Sequence, residues 1–411
     1  LKQRYYSLDV FRGATVCLMI LVNNPGSWSH IYDPLEHAPW HGLTPTDLVF
    51  PFFLFAVGNA MAFVMPRLEA GGQRLFWKKV LKRSILIFAI GLFLNWWPFF
   101  RWQQDSLEFI PWTWMTTTAD GTSALRGVRV FGVLQRIAVC YLLASVIVYY
   151  LKARGVFLAG LILLLLYWLL CVMGNPTDPY SLTGWFGTDI DKKVLHEAHM
   201  YRGEGIAFDP EGLMSTLSAT VQVIFGYLVG DYIMKRSQLA AAAQNESSTT
   251  GINPLYQILT GLYIASVAFL VTGYVWSLNF PVNKKIWTSS YVLVTTGMAT
   301  AILATMIHAI EIKGVRNWLT RFFDVFGKNA LFVFALSAFL PKGLRLIRIP
   351  NGVNAEGRQL FLSPWNWLYE RVYKFFPGRP ETGSLLFALT VILFMWAICY
   401  WLDRRKIYIK V

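Results

Sequence analysis

About ten apolar runs, each near the length that crosses a bilayer, decide what this chain can fold into. A spanning helix needs roughly 20 consecutive apolar residues. The runs cover residues 8–24, 46–65, 84–100, 130–150, 156–173, 213–234, 254–276, 287–310, 322–340 and 383–402. Of the 411 residues, 55% are hydrophobic and only 15% charged, where an ordinary soluble domain has about a quarter charged. The expectation is an all-α polytopic membrane protein, with residues 1–411 forming a single transmembrane domain. The first apolar stretch has no small-residue cleavage site, so no secretory signal peptide is expected.

The formal net charge of +14 raises nucleic acid as a partner. The distribution argues against it, because the cations cluster in short segments between apolar runs, as in loops anchored at a cytoplasmic leaflet. Cys17, Cys140, Cys171 and Cys399 all lie in apolar stretches without CxxC spacing. Neither disulfides nor a metal site is expected from them.

The basic residues also orient the chain. With the N-terminus placed in the cytoplasm, the inner segments hold 19 Lys and Arg in 70 residues, and the outer segments 15 in 142. The inner density is more than double, so both termini are expected to be cytoplasmic. Three cations remain inside the runs: Arg12, Arg136 and Lys328. A cation on a lone helix in the bilayer costs at least about 2.5–3.5 kcal/mol, so each should face the bundle interior with a partner. Asp9 is available to Arg12 and Asp324 to Lys328. Arg136, in GVLQRIAV, has no acid within a turn and most needs an external anion.

The outer loops are then 25–46, 101–129, 174–212 and 341–382, with a short one at 277–286. Loop 174–212 is rich in acids, among them Glu204, Asp209 and Glu211. Two readings stand open: a mouth that attracts a cationic ligand such as a protonated amine, or a solvated surface. Loop 341–382 is basic and aromatic, as expected of a segment on the membrane interface. The inner stretch 239–250 (LAAAAQNESSTT) is of low complexity and expected to be mobile. No internal repeat is evident, which weighs against an inverted-repeat transporter.

The loop between the first two runs carries Asn, Trp, His, Asp and Glu, and no Lys or Arg. His37 is its chemical centre, since imidazole serves as general base or as nucleophile near neutrality. His30 and His41 are competitors. Asn23 and Asn24 end the first run, and an Asn amide can donate to a developing oxyanion. Thr44-Pro45-Thr46-Asp47 is a helix-start pattern, in which Asp47 reads as a capping carboxylate before a catalytic one. The cap aims a helix N-terminus toward His37. His196-Glu197-Ala198-His199 lacks the zinc HExxH spacing, and metal is a minor option there.

Several blocks resemble one known family. Ser7-Leu8-Asp9-Val10-Phe11-Arg12-Gly13 is similar to its SLDxFRG opening. Glu36 to Thr44 followed by Asp47-Leu48-Val49-Phe50-Pro51 is similar to its HAxWNGLTxxDLVFP segment. Gly132 to Arg136, Phe208 to Gly212 and Pro281 to Trp287 resemble further blocks, in the same order. The family is the heparan-α-glucosaminide N-acetyltransferases and their bacterial relatives. The resemblance implies transfer of acetyl from cytosolic acetyl-CoA to the amine of a glucosamine on the far side of the membrane. It puts the family's active-site histidine on His37 and its catalytic asparagine on Asn23. The chain departs from the pattern at His41 and at Asn24-Pro25, which leaves the acceptor side open. The large luminal domain of the lysosomal enzyme is not seen before the first span. A multi-pass protein of a bacterial inner membrane is therefore expected. Its acceptor would be a free amino sugar or a glucosamine-terminated oligosaccharide rather than a heparan sulfate chain.

Acetyl-CoA is strongly anionic, and the histidine faces outward. A tunnel through the bundle would join them, with Arg12, Arg136 and Lys328 holding the CoA phosphates. Glu204, Asp209, Glu211 and Trp40 are the expected acceptor contacts. His37 acts either as the acetyl carrier or as the base in a ternary complex, the second being preferred. Asn23 and the helix start at Thr46 would stabilise the oxyanion in both. An amino-sugar transporter and a sugar O-acetyltransferase are the other readings. Oligomeric state is open, a homodimer included.

Overall fold

The computed structural model describes residues 5–103, 105–117, 121–245, 254–355 and 357–409. Among these, eight helices are long and apolar enough to cross a bilayer. They are α1 (Tyr6–Asn23), α2 (Val49–Ala70, entered through a 3-10 turn at Pro45–Leu48), α4 (Val133–Tyr150), α5 (Ala153–Gly174), α7 (Leu213–Asn245), α8 (Pro254–Ser277), α9 (Ser289–Ile307) and α13 (Pro380–Arg404); α3, α10 and α11 follow below, and the short helices α6 (Gly187–Leu195) and α12 (Pro364–Leu368) lie in loops. The chain is an all-α polytopic membrane protein, as its composition demands.

Two of the expected spans take a different form. The run at 84–100 belongs to α3 (Gly72–Trp96), which begins twelve residues earlier. The basic stretch before Ser84 is not a loop, because Phe76, Val80 and Ile87 recur at helical spacing and are buried. It is the amphipathic first half of the same helix, which a search for apolar length misses. Gly71 alone separates it from α2. The run at 322–340 is broken at Asn329 into α10 (Trp318–Lys328) and α11 (Ala330–Leu344), bent by 78°. The buried Asn329 side chain bonds Ile407 O at 3.3 Å and Ile409 N at 2.9 Å, so the bend clamps the segment after α13. Helix α7 continues to Asn245, well into the stretch expected to be mobile; residues 246–253 lie outside the described residues.

α2 and α7 form the middle of the bundle and are the most buried spans. Their backbones touch at glycine: a Cβ on Gly58 would lie 2.0 Å from Val223 O, and one on Gly226 2.2 Å from Phe55 O. α1 meets α10 in the same way, through Gly13 against Phe323 O and Gly327 against Asp9 O. Lipid provides no hydrophobic drive between helices, so close backbone packing through small residues carries more of the association. α5 and α8 lie outermost, with Leu158, Ile162 and Leu169, and Ile264, Val267 and Val271, exposed in helical stripes.

The loops carry structure that the sequence reading did not assign. Segment 101–129 holds two antiparallel hairpins, Phe100–Gln103 with Ser106–Phe109 and Thr113–Thr117 with Ser123–Gly127. A third, Ile349–Val353 with Gln359–Leu362, lies in 341–382. They interlock: Trp102 Nε1 donates to Leu346 O at 2.9 Å, and the Arg348 guanidinium lies 4.0 Å from the Trp102 ring centroid.

Both ends of the described chain sit at one end of the bundle. There Lys328 meets Asp403 of α13 at 3.2 Å, and Arg12 of α1 reaches Gly327 O at 3.4 Å. This is the terminal end. The loops carrying His37 and residues 174–212 and 277–288 gather at the opposite, mouth end.

Candidate active site

Two loops are joined at the mouth. Gly42 N donates to Val282 O at 2.8 Å. Asn283 folds its own loop, accepting Ile286 N at 3.0 Å on its side-chain oxygen while its backbone N bonds Thr288 Oγ1 at 3.0 Å. Lys284 and Lys285 are thereby turned toward the loop that holds His37 and Trp40.

Asp47 has two duties. Its Oδ2 accepts Thr44 N at 3.1 Å, the Thr44 hydroxyl at 3.0 Å and Ala38 N at 3.1 Å, which closes the helix start. Its Oδ1 lies 2.7 Å from His37 Nδ1. The carboxylate is almost wholly buried, while the imidazole is half exposed. A buried carboxylate on Nδ1 fixes the ring and its tautomer, leaving the Nε2 lone pair for proton abstraction or attack. The capping role was legible from Thr44-Pro45-Thr46-Asp47. The bond to His37 was not, since it depends on how the loop between them folds back.

Lys284 is a site residue that the sequence reading passed over. Its Nζ lies 3.4 Å from Asp47 Oδ1, and 3.1 and 3.4 Å from the two His37 ring nitrogens. Burial pushes the ammonium below the usual lysine range, with Asp47 and Glu211 opposing. The only available signal was a lysine pair inside the block Pro281 to Trp287.

The expected acceptor residues divide into two pairs. Trp40 and Glu204 line an open cavity of about 560 Å³ at the mouth, together with His41, Asp178 and Tyr180. Trp40 Nε1 donates to Tyr180 O at 2.8 Å, and Lys285 bonds Glu204 at 2.7 Å while lying 5.7 Å from the Trp40 ring centroid. Asp209 and Glu211 are not on this cavity. Both are bound by Arg129, and the Asp209 carboxylate is fully buried. Burial raises the Glu211 carboxyl, but the Arg129 and Arg136 charges outweigh it and hold the group below its ordinary range.

The three intramembrane cations are not gathered in one place. Arg12 and Lys328 line a cavity of about 290 Å³ near the terminal end, joined there by Arg83. Lys328 is 2.6 Å from Asp324, and Arg12 is 3.4 Å from Asp9, the partners expected for each. Arg136 lies elsewhere. It is fully buried beneath the mouth, with its Nη2 on Gly212 O at 3.2 Å and on Ser215, and its guanidinium 5.1 Å from the Trp287 centroid. Its Nε and Nη1 find no partner among the described residues.

Phe50 is one turn from Asp47 along α2 and one turn from Phe53, which lines the terminal cavity. It is buried against Trp287, ring centroids 5.0 Å apart. The mouth cavity and the terminal cavity share no lining residue. The two cavities are thus lined by separate residues, with the Phe50–Trp287 pair packed between Asp47 and Phe53. Asn23 closes α1 at the mouth end, where α1 packs on the 45–48 turn. Its side chain is exposed, while Asn24 is buried and bonds Ile20 O at 3.0 Å. His199 is occupied structurally, with Nδ1 2.6 Å from Val128 O and its ring on Trp112.

These features define a polytopic membrane protein with a buried-carboxylate–imidazole pair at one end and a cation-lined cavity at the other. The family model for the catalytic region of heparan-α-glucosaminide N-acetyltransferases matches residues 4–194. The heparan-α-glucosaminide N-acetyltransferases of Mus musculus and Homo sapiens are each 26% identical to it, over 80% and 81% of this chain. The chain is thus similar to the heparan-α-glucosaminide N-acetyltransferases. It spans about half the length of these curated relatives, 53% and 52%.

Proposed function

We propose that the protein is a transmembrane N-acetyltransferase. It takes acetyl from acetyl-CoA at the terminal end, which faces the cytoplasm, and passes it to the amine of a glucosamine-type sugar at the mouth. The arrangement that carries this reading is the pair of chambers. A cavity with three cations suits an anionic donor, and the His37–Asp47 pair suits removal of a proton. At about 290 Å³ the cavity is at the low end for ligand pockets, so it holds a portion of CoA. The pantetheine arm must then pass the Phe50–Trp287 pair, which separates to admit it.

In the ternary route, the sugar binds at the Trp40–Glu204 cavity. His37 Nε2 takes a proton from the amine as nitrogen attacks the thioester carbonyl. The C–S bond then breaks and the CoA thiolate leaves, taking up a proton. Asn23, with a free amide edge at the mouth end, and the helix start at Thr46 donate to the oxyanion. Lys284 adds positive charge beside the same site. This route is preferred to an acetyl-histidine because it needs no acyl intermediate facing water.

Sealed vesicles of both orientations test the reading. Labelled acetyl-CoA on the terminal side should label glucosamine on the mouth side, and N-acetylglucosamine should accept nothing. Transfer with donor and acceptor on one side only would overturn the sidedness. Acetylation of N-acetylglucosamine would point to the hydroxyl acceptor instead.

A further inference from the structure

The cavity near the terminal end has three cations, and they are not equivalent. Lys328 faces Asp324 at 2.6 Å and Asp403 at 3.2 Å. Arg321 joins the same two carboxylates, so two cations are balanced by two anions. Arg12 has Asp9 at 3.4 Å and Gly327 O at 3.4 Å. Arg83 differs. Its guanidinium lies over the buried Tyr141 ring, 4.8 Å from the centroid. Among the described residues its buried Nε has no hydrogen-bond partner and no carboxylate pairs with it.

A partly buried guanidinium without an anion is costly in a low-dielectric setting. The cost falls when an anion enters. An arginine stacked on a ring is held with its fork oriented, and that fork matches two phosphate oxygens at once. Lys79 and Lys82, one turn before Arg83 and adjacent to it on α3, are exposed at the same end and add positive potential around it. The paired cations Arg12 and Lys328 shape the wall, but their charge is already answered.

We infer that Arg83 is the phosphate-binding residue of this cavity, the side chain that makes the enzyme select a nucleotide-bearing thioester over a phosphate-free one. The inference rests on the acetyl-CoA reading above and names the residue that enforces it. It also explains the amphipathic first half of α3: the helix places Phe76, Val80 and Ile87 in the core and Arg83 on the cavity.

The test compares two donors, acetyl-CoA and S-acetylpantetheine, which carries the same thioester without phosphate. Arg83→Met should raise KM for acetyl-CoA about 10- to 100-fold, as expected for losing charge-assisted hydrogen bonds, with kcat nearly unchanged. KM for S-acetylpantetheine should stay at the wild-type value. Arg83→Lys keeps the charge but not the fork, and should give an intermediate KM for acetyl-CoA alone; it answers the question if the methionine variant does not fold. Equal losses with both donors, or an unchanged KM for acetyl-CoA, overturn the role of Arg83. CoA titration calorimetry separates this from the wider reading. Wild type that binds no CoA sinks the acetyl-CoA proposal, whereas wild type and Arg83→Met binding CoA equally sinks only the assignment of Arg83.

Discussion

His37, Asp47 and Lys284 at the mouth come from irregular segments and a helix start, whereas Arg12, Arg83 and Lys328 at the terminal end ride on three helices. The two regions solve the problem of charge near lipid differently. At the mouth, loops are held by backbone bonds such as Gly42 N to Val282 O, and one carboxylate serves a helix cap and a histidine together. At the terminal end the helices are brought together by Gly13 and Gly327, and the side chains then pair across the contact. A mouth built of loops can adjust to a substrate. A cavity between close-packed helices keeps its cations in place. Each region should therefore fail separately.

The largest effect is expected from His37→Ala. Acetyl transfer should fall about 10²–10⁴-fold, the range of general base catalysis, while CoA binding by calorimetry stays intact. Transfer near the wild-type rate would remove His37 from the chemistry. Next comes the opposite lesion. Gly13→Val places its side chain against Phe323 O, where even a Cβ would lie 1.7 Å away. Overpacking of this kind costs about 1–3 kcal/mol or more. The variant should melt earlier in detergent and lose CoA affinity. If it binds CoA as wild type does, the helix contact is not what positions the cavity.

Asp47→Ala should act on both of its partners. Loss of the cap costs about 1 kcal/mol, read as a lower melting temperature, and kcat should drop because the imidazole loses its anchor. A variant that loses stability but keeps kcat would show that the bond to His37 is only structural.

The smallest effect concerns pH and lies at the edge of the mouth. Asp191, in the short helix Gly187–Leu195, accepts Leu213 N at 2.8 Å, and burial pushes its carboxyl from 3.8 up to about 7. The folded protein then holds this proton more tightly than the unfolded chain. That contribution to stability is complete below about pH 4 and is lost as pH rises through about 7. Melting temperature should decline from pH 5 to pH 8, and Asp191→Asn should flatten the decline. An unaltered slope would mean that another group titrates.

Much of this was readable before the fold. The capping carboxylate at Asp47, the pairs Asp9–Arg12 and Asp324–Lys328, and most spans follow from local spacing, which a helix converts directly into neighbours. The failures have physical causes too. Apolar length alone starts the third span at Ser84 and leaves Arg83 in a loop, because the helix from Gly72 is amphipathic over its first three turns. The apolar run 322–340 implies a straight span through Lys328, whereas Asn329 breaks it. The acidic run at 204–211 suggests carboxylates open to a ligand, but Arg129, about 80 positions away, binds both Asp209 and Glu211.

Membrane residence, a helical backbone and the places where polar residues concentrate are all readable from the residues in order, because apolar length and i,i+4 spacing are local properties. Which charges share a chamber is settled by folding alone. Arg12, Arg83 and Lys328 meet across more than 300 residues, and Arg136 stands apart from them. Which cation is left without a carboxylate depends on how the helices turn their faces, and that is set by packing between distant parts of the chain.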